Sequence, residues 1–103
     1  MDAAKEDCRL GKLFDKIKQC VLEERYLIGD HASERLDDRG VLEWQVVQGV
    51  ESARLLRKRP RSKPNPSVEA MQVLADGTDV KVVWSHIKSI DMAKLVTVHF
   101  LDE

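Results

Sequence analysis

Apolar positions in the first quarter of the chain recur at helical steps. Leu10, Leu13, Phe14, Ile17, Cys20 and Val21 fall three and four residues apart, while Lys12, Asp15, Lys16 and Lys18 occupy the other side. That spacing predicts an amphipathic helix over about residues 9–25. Tyr26-Leu27-Ile28-Gly29 then reads as a short extended link broken by its glycine. Asp30 is a suitable N-cap for a second helix over about residues 31–39, with Ala32 and Leu36 as its core stripe and Gly40 as its left-handed stop. A third helical segment carries Val41, Trp44, Val47 and Val50 on one face and ends near Gly49.

From Ala53 the period changes. Arg54–Arg59 reads as a strand, and Pro60, Pro64 and Pro66 turn the following residues into a loop. Val68–Leu74 and Val80–Ile87 are strands joined by an Asp76-Gly77 turn. Leu95–Leu101 closes the pattern, with Val96, Val98 and Phe100 alternating against Thr97 and His99. Helices followed by hairpin-linked strands predict an α+β fold, with the N-terminal helices packed on a three- to four-stranded antiparallel sheet. One domain over residues 1–103 is expected. Its helical part spans about 9–50, its sheet part about 54–101, and a basic, proline-containing loop about 57–67.

Composition agrees with that size. The chain has 103 residues, 43% hydrophobic and 34% charged, enough for one modest core. No stretch approaches the roughly 20 apolar residues of a membrane span. The charged N-terminus lacks a secretory signal's apolar segment, so a cytoplasmic protein is expected. Cys8 and Cys20 are spaced as neither a redox pair nor a zinc knuckle. Reduced thiols are expected, with no structural metal and no cofactor.

The distribution of charge is more informative. The formal net charge is only −1, yet residues 54–63 contribute Arg54, Arg57, Lys58, Arg59, Arg61 and Lys63 with no acidic residue among them. A block of this kind is either a solvated surface run or a clamp that tracks a phosphate backbone. It contains no aromatic residue on which a base could stack. Trp44 and Trp84 read as core residues, leaving Tyr26 as the aromatic with an exposed position.

The densest candidate chemistry lies in the second helix. His31, Arg35 and Arg39 recur every four residues and form one drifting row. Two guanidinium groups supply forked donors for phosphate oxygens, and an imidazole can move a proton near neutral pH. The same residues also suit ordinary pairing with Glu34, Asp37, Asp38 or nearby backbone. Ser33 and Ser85 lack an evident activating base.

The pattern His31-x-x-x-Arg35-x-x-x-Arg39-Gly40, together with the late Val96-Thr97-Val98 segment, resembles the DUF4258 family of small bacterial proteins. That family is similar to RelE-like toxins and related ribonuclease folds. The resemblance implies RNA, free or ribosome-bound, as substrate, and an antitoxin protein as partner. The family's last strand usually ends Thr-Val-Tyr, and His99 stands here in place of the tyrosine. Strand alternation sets Thr97 and His99 on the face opposite Val96, Val98 and Phe100. Metal-free RNA cleavage needs a base, an acid and positive charge around the phosphorane. His31 and His99 are therefore expected to divide the proton transfers, with Thr97 beside them and Arg35 and Arg39 holding the phosphate. His86, in register with Val80, Val82 and Trp84, is expected to face the core. The rival expectation is a non-catalytic RNA- or protein-binding module of the same fold.

Overall fold

The computed structural model describes the backbone of residues 2–101 and the side chains of residues 12–101. Leu10 and Cys8 are thus outside the described side chains. Among the described residues the chain runs α1 (Asp2–Leu22), β1 (Tyr26–Ile28), α2 (Asp30–Arg39), α3 (Glu43–Gly49), β2 (Arg54–Arg59), β3 (Ser67–Val73), β4 (Asp79–Ile87) and β5 (Met92–Phe100). The strands form one sheet in the order β1-β5-β4-β3-β2. Among the described residues no helix is long and apolar enough to cross a membrane.

The α+β class and helices-on-sheet layering hold, but the sheet has five strands and is mixed. The link at residues 26–28 is a strand, pairing parallel to β5 through Tyr26↔Ala93, Leu27↔Lys94 and Ile28↔Leu95. Three residues are too few to display alternation, and their partner lies some 67 positions later in the chain, so local patterning carried no sign of the pairing.

One face of the sheet meets the helices. Phe14, Ile17, Cys20 and Val21 from α1 join Leu36, Val46, Val68, Val82, Trp84, Leu95 and Val98 in a single core. The expected periodicity of α1 is what buries it there. Trp84 is fully buried, as expected, whereas Trp44 is 52% exposed. Steps of three turn a helix back by about 60° each, so Val41, Trp44, Val47 and Val50 cannot share one narrow face. The short α3 buries Val46 instead, and Val50 is buried just past its end, at the C-cap.

Gly29, not Asp30, occupies the N-cap of α2, with no side-chain cap. Its N–H donates to the Leu95 carbonyl at 2.9 Å. A Cβ there would stand 2.9 Å from that same oxygen, so close approach to β5 selects glycine. At the other end Gly40 adopts φ 66°, and Val41 N–H closes back on Leu36 at 2.9 Å, the backbone closure typical of a left-handed helix stop.

Two bulges reset side-chain parity. Between β4 and β5 the register passes from Val83↔Thr97 to Trp84↔Leu95, leaving Val96 as the surplus residue. Ala93 and Leu95 before it, and Val98 and Phe100 after it, are all buried. Val96 does not face the helices as alternation predicted; it is 37% exposed. A second irregularity, at Leu56, shifts the β2–β3 register between Leu55 and Arg57.

Candidate functional site

The sheet face turned away from the helices carries a groove of about 340 Å³, built from β2, the 60–66 loop, β3, β4 and β5. Its residues include Arg59, Lys63, Lys81 and Lys94, with Glu69 as the carboxylate and His99 as the imidazole. Alternation places them. Val68 and Ala70 are buried on the core side of β3, so Glu69 between them faces outward. Its strand neighbours are Arg57 on one side and Val83 on the other.

Glu69 organises the groove's charge. One carboxylate oxygen lies 2.6 Å from Arg59 and the other 3.5 Å from Lys81. Only 12% of its side chain is exposed. Burial pushes the carboxyl up, but the attraction of Arg59 and Lys81 outweighs it and holds the group below its ordinary range. Lys81 sits directly across from His99. Glu69, Lys81 and His99 therefore form a diagonal over three strands, spaced at about 4.8 Å per strand. The resulting surface is cationic, with one ionised carboxylate and one imidazole.

The bulge at Leu56 distributes the basic block. Arg54 pairs with Met71, Arg57 with Glu69 and Arg59 with Ser67, so these three arginines share the groove face. Lys58 pairs with buried Val68 and is half-buried. Arg61 is exposed in the following loop, and Lys63 lines the groove. Part of the expected basic loop is thus edge strand: β2 continues to Arg59 before the loop begins.

The α2 row lies elsewhere. Arg35 Nε donates to the Val98 carbonyl at 3.4 Å. The guanidinium groups of Arg35 and Arg39 stand 5.9 and 4.5 Å from the centre of the Phe100 ring. β1 pairs with β5 only as far as Leu95, so this contact covers part of the edge that β1 leaves open. His31 is exposed on the first turn of α2 and is not among the groove residues. Thr97 pairs with Val83, and its hydroxyl oxygen is buried with no hydrogen-bond partner among the described residues. His86 is buried as expected and lies 2.8 Å from the Asp91 carboxylate.

Of the sequence candidates, the structure brings Arg59, Lys63 and His99 into one groove. Reading the motifs missed Glu69, Lys81 and Lys94. The available signal was β3's alternation, which exposes an acid directly beside the basic strand.

A family model matches residues 28–100, from the end of β1 to the end of β5. No curated protein and no solved structure matches the chain at significant similarity. The match spans most of the sequence and all but the first residues of the sheet, and the chain belongs to that family, DUF4258, a domain of unknown function.

Proposed function

We propose that this protein is a RelE-like, RNA-cleaving toxin of a toxin–antitoxin pair, with its RNA seated in the groove on the open sheet face. The observation that carries the reading is the diagonal of Glu69, Lys81 and His99 within a cationic groove. A phosphodiester above Lys81 lies between a carboxylate and an imidazole. His99 transfers a proton to the leaving 5′-oxygen, while Lys81 and Arg59 offset charge on the phosphorane. Glu69 accepts the 2′-hydroxyl proton once the RNA phosphate draws Arg59 away from it. Arg35, Arg39 and His31 extend the phosphate-binding surface beside β5, and the buried Thr97 hydroxyl supports the groove floor. No metal takes part in these steps.

The test is incubation of purified protein with RNA, with and without ribosomes, in the presence of a chelator. Expected products carry 2′,3′-cyclic phosphate and 5′-hydroxyl ends, and expression without the antitoxin arrests growth. RNA that binds but stays intact under every condition overturns the enzyme. It also selects the second reading, a non-catalytic binding module, which the double ion pair of Glu69 favours: there the carboxylate serves only to order two cations.

A further inference from the structure

On the helix side of the sheet, across it from the groove, three potential metal ligands converge from three parts of the chain. Cys20 comes from the last turns of α1, His86 from the end of β4, and Asp91 from the β4–β5 turn. Their ligand atoms all lie within 4.8 Å of one another. Cys20 Sγ is 3.8 Å from Asp91 Oδ1. Cys20 and His86 are buried, whereas Asp91 is exposed.

We infer that Cys20, His86 and Asp91 form a binding site for a divalent transition metal, zinc above all, that ties α1 to the β4–β5 hairpin. Tetrahedral zinc with ordinary bond lengths separates its ligands by roughly 3.3–3.6 Å. Admitting an ion therefore parts His86 Nε2 and Asp91 Oδ1, which are hydrogen-bonded at 2.8 Å, by about 0.5 Å and draws the wider-spaced pairs together by roughly 1 Å. Thiolate, imidazole and carboxylate are the mixed donors that zinc accepts and that magnesium and calcium do not favour. On binding, the Cys20 thiol proton leaves to solvent as the zinc–sulfur bond forms, and the ion sheds water ligands. Thiolate and carboxylate together cancel the charge of the dication.

The surroundings supply both support and opposition. Arg25 donates to Asp91 Oδ2 at 2.8 Å and also to the Asp91 carbonyl. It thereby fixes the carboxylate with Oδ1 turned toward the other two ligands, the orienting role of an outer partner. A groove bordered by His86 and Asp91 opens beside the cluster, so a fourth ligand such as water would reach the ion from that side. Lys12, Lys16 and Lys88 also line that groove. Their positive charge opposes the free dication and limits affinity, so the site is held by its three donors and not by a general acidic field. The ligands divide across the family boundary: His86 and Asp91 fall within the matched residues 28–100, and Cys20 precedes them.

Cobalt reports directly on such a site. In full-length protein carrying Cys8→Ser, Cys20 is the sole thiol. One equivalent of Co²⁺ should produce a sulfur-to-cobalt charge-transfer band and tetrahedral visible bands, and zinc should displace them. Cys20→Ser should abolish the charge-transfer band. His86→Gln and Asp91→Asn should each weaken cobalt binding by about ten-fold or more, with circular dichroism confirming that they fold. Zinc should also raise the melting temperature of the Cys8→Ser protein, and a chelator should reverse the rise. Absence of the band, or undiminished cobalt affinity in both His86→Gln and Asp91→Asn, overturns the site. So does a melting temperature that zinc leaves unchanged.

Discussion

Glu69 is surrounded by more positive charge than any single partner would supply, and its acid response should show it. Its carboxyl is held below the ordinary range in the folded chain. A depressed folded-state pKa contributes stability at pH values above the unfolded carboxylate pKa, and that contribution disappears as pH falls through the folded-state value. The melting temperature of the wild type should therefore exceed that of Glu69→Gln near neutral pH. The gap should close as acid protonates the carboxylate. A gap that is constant with pH would assign the difference to packing alone. His99 makes the complementary case. It is exposed and stands across from Lys81, so His99→Ala should melt with the wild type. If His99 moves a proton, RNA cleavage should fall by about 10²–10⁴; His31→Ala, assayed on the same preparations, measures how much of that work α2 shares.

At the scale of elements, β2 and α2 answer different questions. Arg57, Arg59, Arg61 and Lys63 lie on the groove face of β2 or in the loop that follows. Replacing all four with Ser should flatten the dependence of log RNA affinity on log salt by up to roughly 3, at about 0.7 per phosphate on a single strand. Lys58→Ser, at the half-buried position paired with Val68, should leave the slope nearly unchanged. An unaltered slope in the fourfold variant would remove β2 from the RNA interface. α2 is a packing problem: Gly29→Ala forces a methyl against the Leu95 carbonyl and should destabilise the chain by about 1–3 kcal/mol, read from urea denaturation. These contrasts also explain what patterning could reveal. α1, α2 and the β3–β4 hairpin were legible because each writes its own period and its own stop, from Phe14-Ile17-Val21 to Gly40 and Asp76-Gly77. β1 was not, because its order comes from β5 and not from its own three residues. The groove was half legible for the same reason: Arg59, Lys63 and His99 stand out by type, whereas Glu69 acquires its meaning only from the strands beside it.

The whole molecule places its two tryptophans in opposite environments, and this offers a direct check on the layering. Trp84 lies at the centre of the core, and Trp44 stands on the outside of α3. Iodide should quench the emission of Trp84→Phe, which retains Trp44, and barely affect that of Trp44→Phe. Comparable quenching in the two proteins, both folded by circular dichroism, would contradict the orientation of α3. Mutating the core itself should cost far more: Leu36→Ala should lose about 2–5 kcal/mol, because α2 has only Ala32 and Leu36 buried against β5 and its neighbours.

Val96 gives β5 a property that substitutions cannot probe. The strand holds one residue more than its pairing with β4 uses, and its inward-facing positions change from odd to even numbers across that residue. Deleting Val96 leaves Ala93, Leu95, Val98 and Phe100 at uninterrupted alternate positions, so the core side of the strand is spelled the same way in a shorter chain. Deleting Met71 from β3, which pairs with β4 without a surplus residue, instead transfers every residue on one side of the gap to the wrong face. The first deletion should fold cooperatively and the second should not. In genetic terms, the reading of β5 tolerates loss of a codon at its bulge, whereas that of β3 is frameshifted, at the level of faces, by loss of a single codon.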